Sequence, residues 1–128
     1  MKVPFSVLDR QYQKYQGEYE EKALKVLRKG WYILGEEVEN FEKEYSEFIG
    51  TDYCLGIDNG LNALVMAFRA LNIGKGDEVI VQGNTFIATI MGITSNGATP
   101  IFVEPSIYDN IDVNKIEEKI TEKTKAIC

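Results

Sequence analysis

Three short segments of this chain carry residue types suited to holding a small molecule. The first is Ile57-Asp58-Asn59-Gly60-Leu61-Asn62, which runs from a strand-like stretch into a helical one. A glycine there lets the backbone approach an anion closely, and the free N–H groups of a helix start point at a phosphate. The second is Gln82-Gly83-Asn84-Thr85-Phe86, where an aromatic at a helix start can stack on a planar cofactor ring. The third is Gly30-Trp31-Tyr32-Ile33-Leu34-Gly35, an apolar loop bracketed by glycines. Its aromatic pair suits the cover of a site or an interface. Each has a plainer reading. Asn-Gly is a common turn pair. Phe86 also fits a core aromatic under its loop, and the Trp31-Tyr32 loop also fits packing on its own core. The first segment is neither a GxGxxG nor a P-loop, so the residues alone leave these alternatives open.

The composition removes other chemistry. The chain has 128 residues and no histidine. Ser-His-Asp and Cys-His catalysis and histidine-ligated zinc or haem therefore cannot come from it. Fourteen basic residues face twenty acidic ones, for a net charge of -6. No stretch gathers Lys and Arg on one face, so a nucleic-acid partner is not expected. The runs Glu18-Glu20-Glu21 and Glu117-Glu118-Lys119 read as solvated helix faces, not as paired catalytic carboxylates. Cys54 and Cys128 lie far apart without a CxxC pattern and read as reduced thiols of a cytoplasmic protein. Met1-Lys2-Val3-Pro4-Phe5 lacks the apolar run of a leader, and no membrane span is expected.

The elements that must position the three segments follow from periodicity. Tyr12, Tyr15, Tyr19, Ala23, Val26 and Leu27 recur at three and four, which predicts an amphipathic helix stopping near Gly30. Val38, Phe41, Tyr45 and Phe48 predict a second from about Glu36 to Ile49, closed by Gly50. From residue 53 the pattern alternates. Strands are expected at Tyr53–Ile57, Glu78–Gln82, Pro100–Val103 and from Lys125. Helices are expected after Gly60, over Thr85–Asn96, and over Val113, Ile116 and Ile120. Short apolar strands alternating with helices predict a parallel sheet covered on its faces. The expected division is a helical segment 1–50 and an incomplete parallel-sheet domain 51–128. A final strand opening at the end of so thin a sheet suggests a piece of something larger.

An ordered set of motifs carries a resemblance. It comprises Val3-Pro4-Phe5, Leu8-Asp9, Gly30-Trp31-Tyr32-Ile33-Leu34-Gly35, Val38-Glu39-Asn40-Phe41-Glu42, Asn59-Gly60-Leu61-Asn62-Ala63-Leu64, Gly74-Lys75-Gly76-Asp77-Glu78-Val79-Ile80-Val81, Asn84-Thr85-Phe86-Ile87-Ala88-Thr89, Gly97-Ala98-Thr99-Pro100-Ile101-Phe102-Val103 and Ile120-Thr121-Glu122-Lys123-Thr124-Lys125-Ala126-Ile127. Together they resemble the N-terminal third of the DegT/DnrJ/EryC1/StrS family of pyridoxal-phosphate-dependent nucleotide-sugar aminotransferases. The resemblance implies a partial three-layer α/β/α sandwich, the fold-type I large domain, in a homodimer. It implies that Asn59, Gly60 and Leu61 hold the phosphate of pyridoxal 5'-phosphate and that Phe86 stacks on its ring. Most members carry Thr where this chain has Leu61, so a hydroxyl contact is absent. Trp31 and Tyr32 resemble a segment near substrate and the dimer interface. No lysine here matches the one that carries the cofactor in the family. The implied activity of a complete protein is transfer of an amino group from an amino acid, glutamate, to a nucleotide-linked keto-sugar, with dTDP-3-oxo-6-deoxyhexose as the sub-branch. The alternatives are a sugar dehydratase of the same family, or a non-catalytic remnant or interaction module.

Overall fold

The computed structural model of the chain describes residues 3–128; the Met1-Lys2 part of the leaderless start expected above lies outside them. The described residues form two compact units, one ending at Gly56 and the other spanning Ile57–Cys128.

The N-terminal unit holds α1 (Asp9–Lys29) and α2 (Glu36–Ile49). Both end where the sequence places a glycine. Gly30 and Gly50 adopt φ of 70° and 79°, and their N–H groups return to Val26 O and Ser46 O. That left-handed turn favours glycine at a helix end. The apolar stripe of α1 gathers Tyr12, Tyr15 and Tyr19, with ring centroids 6.5 and 6.1 Å apart about Tyr19. The α2 stripe stacks Phe41 on Tyr45 at 5.4 Å and leans Tyr45 on Phe48 at 6.4 Å. The basic end of α1 meets the acidic start of α2. Lys25 Nζ donates to Glu37 Oε1 at 2.7 Å, and Lys29 pairs with Glu36. Lys29, Glu36 and Glu37 also sit in the terminal turns whose dipole favours them.

The C-terminal unit holds α3 (Gly60–Ala70), β1 (Glu78–Gln82), α4 (Ile87–Thr94), β2 (Thr99–Val103), two 3-10 turns (Val113–Lys115 and Glu117–Lys119) and β3 (Thr124–Ile127). The strands lie in the order β2-β1-β3, and β1 is parallel to both neighbours. The parallel α/β architecture expected from the sequence is present. Val79 and Val81 pack with Phe68 and Ile73, which belong to α3 and the turn after it, and with Ile93 of α4 and Ala98. Val79, Ile80 and Val81 are at most 1% exposed. Burying each contributes about 1.5–3 kcal/mol.

Three expectations are corrected. Tyr53–Ile57 is not a strand. The Gly56 N–H, which a sheet neighbour would take, donates instead to Glu42 Oε1 at 2.7 Å. Residues 113–120 form no α-helix. Their bonds run three residues back, from Lys115 N to Asp112 O and from Ile120 N to Glu117 O. The helix expected from Thr85 starts at Ile87, because Phe86 is extended at φ -66°, ψ 139° and serves as its N-cap.

Candidate functional site

The loop before α3 is built by its own side chains. Asn59 is extended at φ -160°, ψ 166°, and its Oδ1 accepts from Asn62 N at 3.0 Å. That caps the helix and satisfies one of the donors its first turn leaves open. The Asn59 Nδ2 donates to Asp58 Oδ2 at 2.8 Å, and Asn62 Nδ2 reaches both Asp58 oxygens at 2.9 and 2.8 Å. Asp58 is thereby fixed at the foot of the helix. The next bond, from Ala63 N to Asn59 O, is the first of the helix proper. Among the described residues, the N–H groups of Gly60 and Leu61 have no acceptor. A Cβ built on Gly60 would meet nothing within 4 Å, so the backbone is uncrowded on that side.

The β1–α4 loop presents Phe86 outward, 77% exposed. The reading of Phe86 as a core aromatic is thereby removed, and its ring faces are free. Thr85 Oγ1 and Thr89 Oγ1 share a hydrogen bond of 3.1 Å across the helix start.

The two loops lie at one end of the α3–α4 pair. At the opposite end, the place of a Gly74 Cβ is 3.2 Å from Asn96 O, and that of Gly97 is 3.5 Å from Lys75 N. Those are the C-terminal ends of the two helices. Asn96 Nδ2 also donates to Val65 O and Gly92 O, both at 3.0 Å, tying α4 to α3. The N-terminal ends, with Asn59, Gly60 and Leu61 on one helix and Phe86 before the other, therefore open together beyond the C-terminal end of β1. Ligands of open α/β sheets bind at such an edge.

Trp31 and Tyr32 belong to the N-terminal unit. Trp31 Nε1 donates to Ile33 O at 2.6 Å and Tyr32 Oη to Leu27 O at 3.2 Å. Both rings stay nearly two-thirds exposed, so the loop is not tucked into a core. They border a cleft with Lys25, Lys29, Glu36 and Glu37. Hydrogen bonding from Lys29, then the Lys25 charge, holds the Glu36 carboxyl below its ordinary range, and Lys25 does the same for Glu37. Glu37 in turn pushes the Lys25 ammonium up.

The sequence reading marked the loop but not the separate work of Asp58 and Asn62, which the spacing Asn59-x-x-Asn62 could have signalled. Gln82, whose amide ties two loops, left no sequence signal.

The donors present fit a phosphate ester that carries an aromatic ring. Two free N–H groups at a helix start would take the phosphate, and an exposed phenyl ring at the same end of the helix pair would take the ring. The lysines of this unit stand elsewhere. Lys75 and Lys123 lie before β1 and β3, and Lys125 within β3. Lys115 and Lys119 pair with Asp112 and Glu118.

Residues 13–128 match the model of the DegT/DnrJ/EryC1/StrS aminotransferase family. The chain is 52% identical over 126 residues to the dTDP-3-amino-3,6-dideoxy-alpha-D-galactopyranose transaminase of Aneurinibacillus thermoaerophilus, covering 98% of this chain and 35% of that protein. It superposes on the crystal structure of S. venezuelae DesV with a TM-score of 0.92 at 39% identity, covering 98% of this chain and 34% of that one. It also superposes on Bacillus subtilis NtdA, solved with bound cofactor PMP, with a TM-score of 0.87 at 35% identity, covering 98% and 29%. The chain thus spans about a third of the length of the relatives it matches.

Proposed function

The chain belongs to the DegT/DnrJ/EryC1/StrS aminotransferase family, and from that membership we propose that it forms the cofactor-anchoring part of a pyridoxal-phosphate-dependent sugar aminotransferase. The reaction moves an amino group from an amino acid, glutamate, to the keto group of a nucleotide-linked sugar. A dTDP-3-oxo-6-deoxyhexose is the substrate class, carried by the 52% identity to a dTDP-sugar transaminase. The enzyme works as a cytoplasmic homodimer. When bound, the cofactor supplies an electron sink that allows protons and amino groups to move at the adjoining carbon.

The residues of this chain bind and orient. Gly60 and Leu61 donate backbone N–H groups to the phosphate, with the dipole of α3 behind them. Asn59 keeps those donors in place by capping the helix. Phe86 offers a flat face to the pyridine ring and excludes water from that side. Trp31 and Tyr32 serve substrate or the subunit interface. None of the lysines of the C-terminal unit stands at the loop edge, so the role of this edge is to bind and orient the cofactor.

The test is a titration of the chain with pyridoxamine 5'-phosphate, followed by NMR. Shifts at the Gly60 and Leu61 amides and the Phe86 ring are expected, and their absence defeats the reading. In parallel, dTDP-keto-sugar with glutamate should give no turnover on this chain. The family's dehydratase branch is separated by the residue at the cofactor-carrying position of the whole protein. A lysine at the cofactor-carrying position supports amino transfer and a histidine supports dehydration.

A further inference from the structure

The edge that carries Phe86 is joined to a second loop. Val103, the last residue of β2, is the register partner of Gln82, the last residue of β1. The loops that follow therefore leave the sheet side by side, and Gly83 N donates to Val103 O at 2.9 Å. Residues 104–112 fold into a small hairpin. Pro105 and Ile111 form an antiparallel bridge. Ser106 N donates to Asn110 O at 2.7 Å, and Asp109 N to Ser106 O at 3.1 Å. Gln82 Nε2 uses both its hydrogens across this gap. One bonds Asn84 O in the Phe86 loop at 3.1 Å, and the other bonds Asp109 O in the hairpin at 2.7 Å. Asp109 holds φ at 60°, a conformation rare for a residue with a side chain. Backbone in such a state persists only where its surroundings hold it.

We infer that Gln82 is a positioning residue of the cofactor site: its amide locks the hairpin 104–112 to the β1–α4 loop and so fixes the plane in which Phe86 meets the ring. This rests on the proposed cofactor reading. Phe86 is mostly exposed and has no packing of its own to set its direction. The loop behind it is four residues long and contains Gly83, so an external tie is needed to hold it. The phosphate donors Gly60 and Leu61 belong to another loop and owe nothing to Gln82. The inference therefore separates ring binding from phosphate binding.

The experiment compares wild type, Gln82→Leu and Gln82→Glu by NMR. The second variant keeps the shape but loses both donors. Each is titrated with inorganic phosphate and, separately, with pyridoxamine 5'-phosphate. Unmoved methyl signals of Val79, Val81 and Ile93 show that a variant is folded, and either variant suffices. Phosphate affinity should stay within about twofold, the scatter expected of a distant site. Pyridoxamine 5'-phosphate affinity should fall about tenfold, the scale of one lost hydrogen bond. The Phe86 ring shift should disappear, and exchange of the Ser106 and Asp109 N–H groups should quicken. Equal loss of both affinities would show a merely structural role and overturn the inference. So would unchanged ring shifts, or unchanged exchange, in a folded variant. A wild-type chain that gives no pyridoxamine 5'-phosphate shifts at all defeats the cofactor reading and this inference with it. A wild type that binds while the variants behave like it defeats the tether alone.

Discussion

Asn59 uses both ends of one amide. Its oxygen caps α3 and its nitrogen steadies Asp58, so its removal should be felt by fold and site together. Asn59→Ala is expected to destabilise the C-terminal unit by about 1 kcal/mol, the usual cost of a lost N-cap, read as a lower urea midpoint. The same variant should weaken phosphate binding, because the Gly60 and Leu61 donors lose their frame. Phe86 makes the opposite case. At 77% exposed it holds nothing up, so Phe86→Ala should change stability by less than about 0.5 kcal/mol. Its loss should weaken pyridoxamine 5'-phosphate while leaving inorganic phosphate untouched, since aromatic stacking contributes about 0.5–1.5 kcal/mol beyond burial. A Phe86→Ala chain with a large stability loss would return the ring to the core.

Among the elements, the α3–α4 contact is the tightest joint. A Cβ at Gly92 would lie 2.8 Å from Leu64 Cβ, a backbone-anchored atom that cannot swing away. Gly92→Ala should force the helices apart and cost roughly 1–3 kcal/mol, measurable by thermal unfolding. The junction of α1 and α2 is electrostatic instead. Glu36 and Glu37 are held below their ordinary value of 4.5 by Lys29 and Lys25. A depressed carboxylate contributes stability that is whole above its unfolded value and is lost as pH falls through the folded one. Protection of the amides in the first turn of α2, taken relative to the intrinsic exchange rate at each pH, should therefore fall as the pH drops below about 4.5, and salt should have the same sign of effect. These pairs are exposed, so the effect is small. The elements were unequally legible in the sequence. Gly30 and Gly50 end helices by a backbone rule that any reader of the chain can apply. The strand expected at Tyr53–Ile57 was not, because an apolar run does not say whether a neighbour will bond it, and Glu42 took the Gly56 N–H. The spacing of Val113 and Ile116 fits a turn of three as well as one of 3.6, and the 3-10 form prevailed. In the site, Asn59-Gly60-Leu61 was readable as a turn into a helix start, which the structure places at Gly60 with Asn59 as its cap. The Gln82 tie was not, since its partner lies 27 residues away.

At the scale of the whole molecule, the described surface is unusually apolar in places. Phe48 is 83% exposed and Tyr53 90%. Neither α1 nor α2 buries a single aromatic ring. Exposed apolar surface of this kind favours association, so the chain should elute above its 14.5 kDa mass and bind a hydrophobic dye; a clean monomer that binds none would contradict this. The sheet order β2-β1-β3 also sets a timetable. Glu78 pairs with Thr99 on one side and with Thr124 on the other, about twice as far along the chain. Doubling a loop adds about 0.6 kcal/mol to the entropy of closing it, and distant pairings form late. During synthesis, β1 and β2 can meet with α4 between them well before β3 leaves the ribosome. The loops of the proposed phosphate and ring site hang on α3, β1 and α4, so the nascent chain assembles that candidate edge before its sheet is closed on the β3 side. Pulse-labelled exchange should then show β3 amides protected last.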